Sequence, residues 1–194
     1  MVAIVSLLNA QDSDKVNQLI FSLEREFGLK GVQMTPYPHL TLVTVNDGSL
    51  PNLKEILGKT SGVCCRLKVT TTGLGIFTGE KPILYIPILR TADLNHFHAQ
   101  LHREVSLVCQ EVGPLYHPNL WMPHLSLALG DTTPEVVAQA LLFLSRENFN
   151  WQVELDNLAL LTKHGDLFLK DDVFPLVGEE AKASVPFSAG KVRL

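Results

Sequence analysis

Apolar positions along the chain recur at two spacings, and the switches between them mark the elements. Residues 1–8, Met1 to Leu8, are apolar and short, which predicts a first strand. Val16, Leu19, Ile20, Leu23 and Phe27 then follow a helical period; Asp12 or Ser13 can cap this helix and Gly28 ends it. Residues 39–45 alternate and are rich in β-branched side chains, so a strand is expected. Asn46-Asp47-Gly48 predicts a turn, and Leu53, Ile56 and Leu57 a short helix after it. Residues 63–71 read as a strand with Val63, Cys65, Leu67 and Val69 on one face and Arg66 and Lys68 on the other. The apolar run 83–89 predicts a strand covered on both faces, with Pro87 marking an edge or a bulge. A long helix is expected over 92–110, burying Leu94, Phe97, Leu101, Val105 and Val108. Residues 121–129 form another strand pattern. Thr133-Pro134-Glu135 then opens a helix that turns Val137, Ala140, Leu141 and Leu144 inward. Residues 151–162 and 166–176 predict a hairpin around His164-Gly165, and residues 180–194 a loose tail.

The order is βαβαβ, then βαβα and two strands, which reads as a degenerate duplication. The second strand of each half carries one short string twice. Pro38-His39-Leu40-Thr41-Leu42 returns 85 residues later as Pro123-His124-Leu125-Ser126-Leu127. Residues i and i+2 of a strand share a face. His39 and Thr41 therefore point one way, as do His124 and Ser126, while the leucines point to the opposite face. Two imidazoles across a cleft can serve as general base and general acid near neutral pH. Flanking hydroxyls can donate to phosphate oxygens as charge develops. A cyclic phosphodiester suits this set: one His activates water, and the other protonates the departing ribose oxygen. The pattern predicts an α+β fold of two similar lobes, each an antiparallel sheet backed by helices, with the sheets facing a shared central cleft.

Composition narrows the class. With 46% hydrophobic and 19% charged residues the 194-residue chain can bury a core, which excludes disorder for most of its length. A formal charge of −4 argues against a site for an extended nucleic-acid duplex, which needs a basic field. No apolar run approaches the roughly 18 residues of a membrane span. The first strand lacks the basic flank of a signal peptide, so no membrane association is expected. Three cysteines, two of them adjacent, make neither a disulfide framework nor a metal knuckle; a reducing cytoplasm is the expectation. Cys64 and Cys65 read as small buried hydrophobes. His98 and His102 have zinc spacing, but no Glu follows His98, and both are expected on a solvated helix flank. His117 and His164 fall in loops. No metal or cofactor site emerges from the pattern.

At the repeated string the chain resembles the 2H phosphoesterase superfamily, also called the 2′-5′ RNA ligase or LigT-like family, whose mark is one H-x-[ST]-x motif in each half of a bilobal α+β fold. The likeness spans roughly residues 1–176. Gly75-Ile76-Phe77 and the run Ile83-Leu84-Tyr85-Ile86 resemble the family's Gly-x-Phe loop and following strand. Leu101-His102 lies on the long helix leading to the second motif, and Tyr116-His117-Pro118-Asn119 resembles a Pro-containing lead-in. One departure is the absence of the Arg that often opens the strand after the loop; here it is Pro82-Ile83-Leu84-Tyr85. The resemblance implies one domain over 1–194 made of two intertwined lobes. It implies catalysis by His39 and His124, phosphate binding by Thr41 and Ser126, and no metal or cofactor. The implied activity is hydrolysis of 2′,3′-cyclic phosphodiesters on RNA ends or small nucleotides. Cleavage of 2′-5′ diesters with weak 2′-5′ ligation, and a non-catalytic nucleotide or RNA-end binder, are the alternatives. Binding alone needs no base, which disfavours the last. For a nucleobase the aromatic candidates are Phe77 and Tyr85, with Tyr37 and Trp121 near the motif histidines.

Overall fold

The computed structural model describes residues 1–46 and 50–178, so the expected tail and most of the turn at Asn46-Asp47-Gly48 lie outside the described residues. The strands are β1 (Val2–Leu7), β2 (His39–Val45), β3 (Leu67–Thr70), β4 (Gly75–Phe77), β5 (Ile83–Pro87), β6 (His124–Ala128), β7 (Gln152–Leu155), β8 (Asn157–His164) and β9 (Leu167–Pro175). The helices are α1 (Ala10–Phe27), α2 (Leu50–Val63), α3 (Ala92–Ser106) and α4 (Pro134–Leu144), with single 3-10 turns at Gly31–Met34 and Pro114–Tyr116. None of these helices is long and apolar enough to cross a membrane.

Helix α1 begins earlier than its polar residues suggest. The Asn9 side chain accepts from Asp12 N–H and its amide donates to the Asp12 carboxylate, so Asn9 is the cap and Asp12 its reciprocal partner. Gly28, at φ 72°, closes the helix in the left-handed conformation that side chains resist. Thr91 and Thr133 cap α3 and α4 in the same manner as Asn9.

Among the described residues all strand pairing is antiparallel. One sheet has the order β2-β1-β8-β9 and another the order β4-β5-β6, while β3 and β7 form a ribbon. Pairing of Thr71 with Ile88, backed by Thr72 N–H to Pro87 O and Leu89 N–H to Thr70 O, carries the ribbon onto the edge of β5. Both strands bearing the repeated string, β2 and β6, are terminal in their sheets, and they run close to each other. Leu40, Leu42, Leu125 and Leu127 are buried in the main core, with α1 to α4 contributing Val16, Leu53, Leu101 and Ala140. This is the mixed α and β architecture with antiparallel sheets that the pattern predicts, with three hydrogen-bonded groups of strands instead of two.

Several boundaries differ from the expectation. Val63 closes α2 and is exposed, so the predicted strand over 63–71 shrinks to Leu67–Thr70. Residues 75–77 form strand β4, not a loop. Pro87 sits at the end of the middle strand, and the register irregularity falls at Leu84/Tyr85. The segment 151–162 breaks at Asp156. Its first part, β7, leaves to pair with β3, and only β8 forms the predicted hairpin with β9. Asn157 explains the break: its amide donates to Leu7 O and its carbonyl accepts from Leu7 N–H, ending the β1–β8 ladder with a side chain.

Candidate active site

The site is built from two copies of one local design. In each, a proline precedes the histidine and biases the residue before it toward extended backbone. That residue's carbonyl then meets the imidazole: Nδ1 of His39 lies 2.6 Å from Tyr37 O, and Nδ1 of His124 lies 2.7 Å from Met122 O. A carbonyl only accepts, so Nδ1 carries the proton in both rings and Nε2 keeps its lone pair. His39, Thr41, His124 and Ser126 all line one cleft of about 400 Å³. Burial pushes both imidazoles below their ordinary pKa, against the upward pull of the carbonyls; charge on His124 lowers His39 further. A proton on one ring therefore discourages a proton on the other, which suits a pair that shares a single proton.

The aromatic candidates part company. Phe77 stacks on Tyr85 with ring centroids 4.2 Å apart, and both rings abut His124 at 5.0 and 5.1 Å. Tyr85 is only 6% exposed, and it fills the space over Gly75 that any Cβ would occupy. The two rings thus form a brace behind His124 and do not line the cleft. Tyr37 does line it, with its ring packed beside Ala3, Val5 and Leu161 and 5.6 Å from Lys170 Nζ. Trp121 is 1% exposed and takes no part in the cleft wall. Its indole N–H donates to Thr41 O at 3.0 Å.

Trp121 leads to a residue whose surroundings the helical period misjudges. His98 is not on a solvated flank: it is fully buried and stacked on Trp121 with centroids 3.7 Å apart and planes 1° from parallel. Its Nε2 donates to Leu42 O at 2.9 Å. The β1–β2 register jumps from Ile4–Val43 to Val5–Thr41, leaving Leu42 as the extra residue of a bulge. Trp121 and His98 thus satisfy two successive carbonyls on the outer edge of β2. Burial drives His98 down to a pKa of about 4, and its Nδ1 has no partner.

Tyr116, in the sequence only the first residue of the lead-in to the second motif, has a place at the site. It reaches the cleft from the turn Pro114–Tyr116, and its hydroxyl pairs with that of Thr41. Gly113 permits this approach, because a Cβ there would strike Thr44 and crowd the Tyr116 ring. Arg90 does not replace the missing loop arginine: its guanidinium is spent on Asn95, Trp121 O and Pro118 O. His164 stays exposed at the hairpin end, bonded to Thr162. None of the three cysteines forms a disulfide; Cys109 is buried, and Cys64 and Cys65 are half-buried. Among the described residues no cluster of three His, Cys, Asp or Glu is placed to hold a metal ion.

The architecture has known counterparts. TT0787 of Thermus thermophilus aligns with a TM-score of 0.61 at 15% identity, over 92% of this chain and 99% of that one. A crystal structure titled as a phosphoesterase aligns with a TM-score of 0.58 at 13% identity, over 90% of this chain and 97% of the other. At such identities the likeness is one of fold. No curated protein matches the sequence. The family model of the 2′-5′ RNA ligase superfamily, however, matches residues 8–167, most of the chain and both copies of the string. On that span, the chain belongs to the 2′-5′ RNA ligase superfamily.

Proposed function

We propose that the protein hydrolyses 2′,3′-cyclic phosphodiesters of RNA ends or small nucleotides without a metal ion. The observation that carries this reading is the pair of imidazoles with the same tautomer on one cleft that the Thr41 and Ser126 hydroxyls also line. One Nε2, unprotonated, takes a proton from water as the oxygen attacks phosphorus. The other, protonated, gives its proton to the ribose oxygen as the P–O bond breaks. Thr41 and Ser126 donate to the non-bridging oxygens, and Tyr116 holds the Thr41 hydroxyl in place. The products are a phosphomonoester and a free ribose hydroxyl. Among the described residues no Asp, Glu, Lys or Arg side chain lines the cleft, which fits a substrate with a single negative charge balanced by one imidazolium. Membership of the superfamily supports phosphoesterase chemistry of this type.

The test is turnover of 2′,3′-cyclic mononucleotides in excess EDTA, with chromatography of the 2′- and 3′-monophosphates. Steady product formation in chelator is expected. Activity abolished by EDTA and restored by zinc or manganese would overturn the two-histidine mechanism. Tight nucleotide binding with no product would point to a binding protein instead.

A further inference from the structure

The four motif residues account for one phosphate and its ester oxygens, yet the cleft they line has a volume of about 400 Å³ and continues along α1 and residues 32–36. A pocket of that size holds a whole small ligand. Its far wall is apolar and uncharged: Ile20, Phe21, Val32 and Met34 line it. Phe21 is 58% exposed and Met34 39%, although both belong to a wall that could have been polar. Asn17 lies one helical turn before Phe21, so the two share a face of α1. The Asn17 side chain is half-buried, lines the cleft, and makes no hydrogen bond to another described residue. Gln33 donates its amide nitrogen to the Glu24 carboxylate at 2.6 Å, which leaves its carbonyl oxygen as an acceptor with a fixed assignment.

Taken together, we infer that α1 and the turn after it form a nucleobase subsite, in which the base lies against Phe21 and Met34 and Asn17 hydrogen-bonds to its edge. The inference rests on the cyclic-phosphodiester reading above and specifies its substrate. The rival occupant, the next phosphate of a longer RNA, would need a cation on this wall, and among the described residues no Lys or Arg side chain lines the cleft. Phe77 and Tyr85 stack on each other against His124 and are not among the residues lining this wall. Phe21 offers a free ring on the same cleft.

The experiment compares Phe21→Ala and Asn17→Ala with the parent chain on adenosine 2′,3′-cyclic phosphate and on 1-O-methylribose 2,3-cyclic phosphate, which has no base. Both positions are outward enough on a helix for alanine to leave the melting temperature in place. Phe21→Ala should raise KM for the adenosine substrate about tenfold more than for the base-free one, the scale of one lost stacking contact. Asn17→Ala should act in the same direction, more weakly. An equal change on the two substrates, or none on either, would overturn the subsite. Calorimetric titration with adenosine 2′-monophosphate separates this outcome from failure of the activity itself. If the parent binds it without turning over either cyclic phosphate, and Phe21→Ala weakens that binding, the subsite stands and the hydrolase reading falls. If the parent neither binds the monophosphate nor turns over the cyclic nucleotide, both fall.

Discussion

At His39 and His124 burial and a backbone carbonyl act in opposite directions, and burial prevails. In the proposed reaction one ring must be neutral and the other charged, so the rate should be bell-shaped in pH. Because both pKa values are lowered, kcat/KM for the free enzyme should peak below the ordinary imidazole value of about 6.5. A bound phosphodiester anion favours the charged rings, so the kcat profile should lie at higher pH than the kcat/KM profile. Coincident profiles centred well above neutrality would contradict the assignment. His39→Ala and His124→Ala should each lose roughly 10²–10⁴-fold in kcat, the range for a lost general acid or base. Thr41→Ala and Ser126→Ala should lose less, and either His variant with near-normal turnover would sink the pairing. His98 makes a prediction about stability. Its folded pKa of about 4 lies below the unfolded value of 6.5, so the unfolded chain binds the proton more tightly. Its contribution is complete above the unfolded value and declines as pH falls toward the folded one, by about 1.4 kcal/mol per pH unit. Melting temperature should therefore fall over that acidic window. His98→Gln keeps a donor for Leu42 O but cannot titrate there, so the fall should be shallower. An unchanged slope would place the acid sensitivity elsewhere.

Two elements carry the motif side chains, and each is held from behind. Strand β2 is the outer strand of its sheet, where bulge carbonyls would otherwise go unpaired. Trp121→Phe keeps an aromatic ring for His98 but removes the donor to Thr41 O. Leaving a buried carbonyl unsatisfied costs about 1–3 kcal/mol. Loss of several degrees in melting temperature, with kcat reduced more than KM is raised, is the expected result. An unaltered kcat in a folded variant would show that the clamp does not set the position of Thr41. Strand β6 depends on β4 and β5, through the stack of Phe77 on Tyr85 against His124. Gly75→Ala would drive a methyl into the Tyr85 ring, an overpacking that costs about 1–3 kcal/mol. Its kcat should fall as His124 is displaced, while the fold, read by circular dichroism, is retained. Neither support was legible from the chain. Period and propensity describe one element at a time, and they placed His98 on a helix without saying that a bulged edge strand lies against it.

At the scale of the whole molecule, sequence and tertiary structure divide the determination unequally. The sequence by itself determined the repeated string, its sharing of one strand face, the leucines on the opposite face, most helices, and the mixed α and β class. These follow from periods of two and 3.6 residues and from local turn and cap chemistry, which act over a few residues. The tautomer of each imidazole was left to the structure, which set Nδ1 against a carbonyl two residues back. Tertiary structure decided what depends on partners far along the chain. It split the segment 151–162 between two groups of strands, since Asn157 meets Leu7 and β7 meets β3. It turned Tyr85 and Trp121 from open faces into buried supports, brought Tyr116 to Thr41, and placed Asn17 and Phe21 along the cleft that the motif histidines also line. Side-chain burial and cleft lining are properties of surfaces meeting, and no local period encodes which surfaces meet.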